Sequence, residues 1–183
     1  MGRVIDCCQS LSQLQSRVVN ERRPATDEEA KALASALRLR IMRICLGEGR
    51  TNQEIAQTLG LDPASVLHHV RTLVRVGFLE AQPARRGARN AREVPYLSTK
   101  KSWTLNTPAL DRSMLDAFLQ EVALVPGDDI DTARLGLRLS PAAMTEFRDR
   151  VAALLDEFAA REDDPSATAW SVFLSIHPDP NRP

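Results

Sequence analysis

Residues 51–79, TNQEIAQTLGLDPASVLHHVRTLVRVGFL, constrain this chain more than any other stretch, because they specify two short helices joined by a tight turn. Thr51 followed by Glu54 is the capping-box pattern that begins a helix, and Gly60 suits the left-handed position that ends one. Asp62, with a proline directly after it, predicts the cap and first turn of the next helix. The order of helix, three-residue turn and helix is that of a helix-turn-helix motif.

The second helix, predicted from Asp62 to about Val76, has an apolar side and a polar side. Val66, Val70 and Leu73 recur at helical spacing and predict a face that packs on a core. The opposite face combines small, hydrogen-bonding and cationic side chains, which could approach base edges and phosphates. Its members are Ala64, Ser65, His68, Arg71, Thr72 and Arg75. Taken alone, this face is equally typical of a solvated helix.

The start of the first helix is also a candidate contact with nucleic acid. The free amide groups at a helix N-terminus attract anions, so Thr51, Asn52 and Gln53 are predicted to hold a phosphate.

An arginine-rich loop follows the second helix. Residues 83–92 hold a glycine and no acid, and their arginines are Arg85, Arg86, Arg89 and Arg92. Val94, Tyr96, Trp103 and Leu105 are predicted to lie in returning strands. A loop this basic on a hairpin beside a recognition helix predicts a wing that lies along the phosphates or enters the minor groove.

These residues resemble a known family. The segment from about Glu28 to Leu105 resembles the winged helix-turn-helix regulators of the bacterial ArsR type, and SVLHHVRTLVRVGFL is its most similar part. The resemblance implies a homodimeric, cytoplasmic transcription regulator in which Ser65, His68 and Arg71 face the DNA groove. Metal-sensing members carry Cys-x-Cys in the recognition helix. That helix contains no cysteine here, so metal sensing at that site is not expected.

The formal net charge is zero, yet the charges are segregated along the chain. Residues 31–101 hold 13 basic and 5 acidic residues, a charge of +8, whereas residues 102–183 hold 7 and 14, a charge of −7. Local rather than total charge determines attraction to a polyanion. The distribution therefore favours double-stranded DNA as the partner of the basic segment.

Two further helices flank this segment. Thr26 and Glu29 form a second capping-box pair, which predicts one support helix reaching about Leu46. A helix from Thr107 to about Val125 carries an apolar band wider than one packing partner needs, so a second copy of the chain is predicted to cover the surplus. That candidate dimer interface comprises Leu110, Met114, Leu115, Phe118, Leu119 and Val122.

The organisation predicted is an arm or short helix at residues 1–25, a winged helix-turn-helix domain at 26–106, and a dimerisation or effector module at 107–183. Strict alternation predicts strands at Ala133–Leu139 and Trp170–Ile176, on either side of a helix that begins at Ser140. The module is therefore read as helix, strand, helix, strand. The fold class is mainly α with small β (α+β).

This module could sense a small molecule. Trp170, Phe173 and Phe158 could line a pocket, although such residues are more often core. Arg134 and Arg138 could hold an anionic ligand, although arginines on a solvated strand face are commoner. The effector is not identified.

Other function classes find little support. Phosphate-binding glycine loops and nucleophile elbows are absent, so no enzyme and no cofactor are predicted. His68 and His69 are adjacent and diverge on a helix, so no metal site is predicted there. Cys45 is predicted to be core. Cys7 and Cys8 could bind a metal or sense oxidants in a dimer, although no histidine or second cysteine pair lies nearby. No signal peptide or membrane span is expected, which favours the cytoplasm.

The prediction is thus a homodimeric repressor that reads double-stranded DNA. A winged domain that binds another protein is the alternative, although it would not require arginine on both the wing and the recognition face.

Overall fold

Most of the helices and strands that the structure describes lie before residue 123. The computed structural model describes residues 22–87, 90–106, 111–164 and 166–180. Their α-helices are α1 Asp27–Leu33, α2 Ala36–Ile44, α3 Asn52–Leu59, α4 Pro63–Arg75, α5 Asp111–Val122 and α6 Pro141–Ala159. Their strands are β1 Arg23–Pro24, β2 Arg50–Thr51, β3 Leu79–Ala81, β4 Arg85–Arg86, β5 Arg92–Glu93, β6 Pro95–Ser98 and β7 Leu105–Asn106. The predicted class, mainly α with small β, is confirmed.

The two helices of the motif form as their capping residues predict. The Glu54 amide donates to Thr51 Oγ1 at 3.2 Å, and the Thr51 amide donates to Glu54 Oε2 at 2.7 Å. Gly60 ends α3 with φ of 65°, a left-handed conformation that only glycine adopts without strain. Asp62 then accepts hydrogen bonds from the first amides of α4, with Pro63 at the first helical position. These local signals fix the turn between α3 and α4.

The support region contains two helices, so the prediction of one continuous helix from Thr26 to about Leu46 is wrong. The capping box of Thr26 and Glu29 is confirmed, but α1 ends at Leu33. Ser35 then begins α2, its side chain accepting from the amide of Arg38. The Arg38 side chain donates to the carbonyls of Ala32 and Lys31, which satisfies exposed groups at the end of α1.

A small antiparallel sheet follows the motif. Its strand order is β2, β6, β3, with Thr51 opposite Pro95 and Leu79 opposite Ser98. Beyond this sheet, β4 and β5 pair as a separate antiparallel ladder. Trp103, predicted to lie in a strand, lies instead in the 3₁₀ turn Lys101–Thr104.

The core lies under α4, where α1, α2, α3 and β3 meet. Its largest fully buried side chains are Phe78, Leu33, Ile41, Ile55, Leu73, Leu79, Val66, Val70 and Cys45. Burial raises the pKa of the Cys45 thiol to about 12, so the thiol stays protonated near neutral pH and packs as a small apolar side chain.

The chain divides into two compact units, of which one is Arg22–Ile130. This unit includes α5, which packs on α2, with Ala117 buried between them. Arg43 Nε lies 3.0 Å from Glu121 Oε2 at the edge of this contact. The sequence placed the boundary after residue 106, before α5. Residues 107–110, where that helix was predicted to begin, lie outside the described residues.

The described part of the other unit, residues 131–164 and 166–180, contains α6 and no strand. Ser140 caps α6 as predicted. The strands predicted at Ala133–Leu139 and Trp170–Ile176 are wrong. Both segments alternate in sequence, but a strand requires a neighbouring strand, and neither segment belongs to a sheet among the described residues. Their apolar side chains face solvent, with Leu135 72 % and Trp170 80 % exposed.

Candidate nucleic-acid interface

The polar face of α4 is open to solvent along its whole length. Ala64, Ser65, His68, Arg71 and Arg75 are exposed, as the sequence predicts. The helix is thirteen residues long and begins at its capped N-terminus, where two small side chains leave the backbone approachable. One side of α4 can therefore meet a ligand directly.

The opposite side of α4 is fixed to the core. Val66, Val70 and Leu73 are fully buried, and each lies one helical turn from the next. Because these three side chains determine the rotation of the helix, they also determine which residues face outward.

Thr72 lies at the margin of the exposed face. It is half-buried, and its hydroxyl donates to the His68 carbonyl at 3.0 Å. The methyl group and a lone pair of the hydroxyl oxygen remain for an external contact. His69 is also half-buried on α4. Its pKa is lowered by burial and, to a lesser extent, by the charge of Arg38. This keeps His69 neutral near pH 7.

The three residues predicted to hold phosphate at the start of α3 differ in accessibility. Thr51 is 4 % exposed and its hydroxyl belongs to the helix cap. Asn52 Nδ2 donates to the Pro63 carbonyl at 2.8 Å, which ties the starts of α3 and α4 together. Gln53 is exposed. Of the three side chains, Gln53 is the one available to a phosphate, while the other two organise the motif.

The four wing arginines also separate into roles. Arg85 lies 2.6 Å from Glu54 Oε1 and 3.9 Å from Glu93 Oε2, so it attaches the wing to α3. Arg86 and Arg92 are exposed and directly opposite each other in the β4–β5 ladder. Arg89 lies outside the described residues.

The pair formed by Arg86 and Arg92 carries an electrostatic cost. Like charges directly opposite each other on neighbouring strands repel. An anion between the two guanidinium groups would remove this repulsion, so the ladder presents a cationic surface suited to a phosphate.

Sequence reasoning missed the dual role of Glu54. Its carboxylate closes the capping box on the Thr51 amide and also accepts from Arg85 NH2 at 2.6 Å. The pKa of Glu54 is lowered, mainly by the hydrogen bond from the Thr51 backbone and less by the charge of Arg85. The spacing from Thr51 revealed the cap, but no local signal reveals a partner 31 residues away.

The residues predicted to form a dimer interface present a partly open band on α5. Met114 is 45 % and Leu119 is 52 % exposed, whereas Leu115, Phe118 and Val122 are half-buried. Leu110 lies outside the described residues. The buried side of this helix is occupied by α2, which leaves the open part of the band for another partner.

Of the candidate effector aromatics, Phe173 is half-buried and the other two are open to solvent. Trp170 is 80 % and Phe158 is 55 % exposed, with the guanidinium of Arg161 3.8 Å above the Phe158 ring. Arg134 and Arg138 are exposed in the segment that the sequence predicted as a strand.

Residues 22–87, 90–106, 111–164 and 166–180 contain no group of three or more histidine, cysteine or carboxylate side chains arranged to hold a metal ion. In the same ranges, none of the helices has the length and apolar content to cross a membrane. Cys7 and Cys8 fall in the part of the chain that is not described.

A family of helix-turn-helix domains matches residues 33–82. The match begins at the last residue of α1 and ends just after β3, so it includes α3, the turn and α4. The chain therefore contains a helix-turn-helix domain, which confirms the prediction made from the capping residues. No protein of curated function matches the chain.

Several solved structures are similar to parts of this chain. Reduced HlyU from Vibrio cholerae is 21 % identical, with 61 % of this chain and 95 % of that one covered and a TM-score of 0.32. A second structure is the homodimeric winged helix-turn-helix DNA-binding domain Mb0332 from Mycobacterium bovis, described as a possible ArsR-family regulator. It is 24 % identical, with 67 % of this chain and 90 % of that one covered and a TM-score of 0.32. The repressor MarR from Listeria monocytogenes is 13 % identical over 81 % and 90 %, with a TM-score of 0.33.

Proposed function

We propose that this chain is a homodimeric transcription regulator of the ArsR type, which binds double-stranded DNA in a sequence-specific manner and represses by occluding a promoter. The observation that carries the proposal is the exposed face of α4, whose opposite side is buried, together with the cationic β4–β5 ladder that Arg85 joins to α3. A rigid helix with small residues at its start fits the major groove. The helix-turn-helix match at residues 33–82 supports the same reading.

The role proposed for each side chain follows from whether that side chain is exposed and can reach DNA. Ser65, His68 and Arg71 read base edges in the major groove, and Ala64 and Thr72 allow close approach. Arg75 and Gln53 contact phosphates on either side of the groove. Arg86, Arg92 and Arg89 supply the wing contacts, whereas Arg85 positions the wing through Glu54.

The proposed dimer rests on the open apolar band of α5. A symmetric partner would cover Met114 and Leu119, and it would place two copies of α4 about 34 Å apart, one turn of the duplex. The two half-sites of the operator are then expected to repeat at that spacing.

Substitutions of two arginines distinguish contacts to bases from contacts to the DNA backbone. Arg71→Ala is expected to weaken the preferred site about tenfold and to reduce the preference over a scrambled duplex, because a base contact is lost. Arg86→Ala is expected to weaken both duplexes equally and to lower the slope of log affinity against log salt by about one, because a phosphate contact is lost. Selection from a random duplex pool defines the site, and titrations at several salt concentrations measure both effects.

The control is Arg112→Ala, which removes the same charge from a side chain 86 % exposed on α5. It should leave affinity, preference and salt slope unchanged. Equal losses on both duplexes for Arg71→Ala would refute its base-reading role. A wild-type chain whose binding to every duplex is absent at low salt would favour the alternative of a protein-binding winged domain.

A further inference from the structure

The ammonium group of Lys101 joins the end of α4 to a buried carboxylate. Its Nζ donates to the Val76 carbonyl at 2.6 Å and lies 2.7 Å from Glu29 Oε1. It also lies 5.3 Å from the centre of the buried Phe78 ring. Lys101 follows the wing in sequence, 25 residues after Val76, so these contacts fix the end of the recognition helix to a distant part of the chain.

The carboxylate that receives Lys101 is fully engaged. Glu29 is 5 % exposed, and Arg23 donates to its two oxygens at 2.6 and 2.8 Å. The Thr26 amide adds a third donor at 2.9 Å. Hydrogen bonds from Arg23 and then from Lys101 hold the pKa of Glu29 far below its usual range. The carboxylate therefore stays ionised, and the Lys101 ammonium keeps an anionic partner.

The C-terminal end of α4, where Lys101 lies, is electrostatically favourable for a cation. Carbonyl groups of the last helical turn lack intrahelical partners, and the helix dipole makes that end negative. Val76 is the cap residue of α4, and its own carbonyl faces the ammonium. A cation here both satisfies the carbonyl and restrains the direction of the helix axis.

The same cluster lies beside the strands that precede α5. Arg23 belongs to β1, which pairs in parallel with β7 through Arg23 opposite Leu105. The Ala25 amide donates to the Asn106 carbonyl at 3.2 Å. The cluster of Arg23, Glu29 and Lys101 thus connects the end of the recognition helix with the β1–β7 pair.

We propose that Lys101 is a positioning residue for DNA recognition. Its ammonium bridges the Val76 carbonyl and the Glu29 carboxylate and thereby sets the angle of α4 in the groove. The inference rests on the proposed function. Base contacts require side chains placed within about 0.5 Å, whereas long arginine side chains reach phosphates over a wider range. Loss of the Lys101 contacts therefore reduces discrimination between DNA sequences more than it reduces general affinity for DNA.

The test compares affinities of the full chain for its selected duplex and for a scrambled duplex. Lys101→Met is expected to lower the ratio of the two affinities about tenfold, with affinity for the scrambled duplex changed less than about twofold. Lys31→Met is the matched control, because it removes the same charge from an exposed side chain on α1, and its ratio should remain native. Lys101→Arg, which keeps a cation beside Glu29, should retain most of the affinity ratio.

A second variant separates positioning from stability. A contact that only stabilised the fold would lower the melting temperature of Lys101→Met and leave the ratio of the folded protein unchanged, which overturns the proposal. Glu29→Gln should lower the ratio as Lys101→Met does, because it removes the charge that holds the Lys101 ammonium. The double variant should lose little more of the ratio, since both substitutions act on the same Lys101–Glu29 contact. If Lys101→Met does not fold, a native ratio in Glu29→Gln overturns the proposal. A wild-type chain that binds no duplex overturns the proposed function as well, whereas a wild-type ratio retained by folded variants overturns the positioning role alone.

Discussion

Phe78→Ala is expected to lower the free energy of unfolding by about 3–5 kcal/mol, because it deletes the largest fully buried side chain of the winged domain. The ring lies directly after the turn that ends α4, and the backbone of Phe78 is held on both sides. Its amide donates to the Leu73 carbonyl at 2.9 Å, and its carbonyl accepts from the Thr99 amide at 3.1 Å. The surrounding chain therefore cannot collapse easily into the cavity, so little of this cost is recovered by relaxation.

Urea unfolding followed by circular dichroism measures the effect. Domains of this size are commonly stable by about 5–15 kcal/mol, so the loss is a large fraction of the total. Phe158→Ala is the control, since it makes the same substitution at a ring that is 55 % exposed on α6, and it should change the free energy by less than about 1 kcal/mol. A change below 1 kcal/mol for Phe78→Ala would contradict the assignment of this ring to the centre of the core.

The features that the sequence predicts correctly are those encoded by neighbouring residues. The caps at Thr51 and Asp62 and the left-handed Gly60 each depend on residues within four positions. The outward face of α4 follows from Val66 and Val70 by helical spacing. Because these signals agree with one another, the helix-turn-helix and its exposed surface could be derived before the structure was known.

The break between α1 and α2 shows where a periodic pattern misleads. Leu33, Leu37 and Ile41 recur every four residues, as they would in one helix. A serine within such a run is compatible with both a helix interior and a new cap. Ser35 takes the second role because its side chain accepts the Arg38 amide, and Arg38 reaches back to the end of α1. The choice depends on side-chain contacts of Ser35 and Arg38, which apolar periodicity does not reveal.

Pairings between distant residues were not accessible from the sequence. Arg85 was grouped with the other wing arginines because nothing local marks Glu54 as its partner. The alternation around Leu135 and Val172 indicates which side chains share a face, but it does not specify the neighbouring strand. Sequence patterns therefore defined surfaces more reliably than they defined the contacts between them.

Leu119→Glu is expected to convert the proposed dimer to monomers and to weaken binding to a two-half-site operator by about 10²- to 10⁴-fold. Leu119 is 52 % exposed on α5, so a carboxylate is tolerated in the isolated chain but not when a symmetric copy covers it. Binding to a single half-site should change little, because α4 and the wing are untouched. Phe118, by contrast, is half-buried in the chain, so a charge there would also strain the fold.

Sedimentation measures the oligomeric state, and titrations on one and two half-sites measure the affinities. Gln120→Glu is the matched control, since it introduces the same side chain at the adjacent exposed position, where Arg40 NH1 lies 3.4 Å from the Gln120 oxygen. This variant should remain dimeric with native affinity, because the new charge gains a cationic neighbour and avoids the apolar band. A Leu119→Glu variant that remains dimeric would exclude this band as the interface. The two copies of α4 would then have to be joined through another surface.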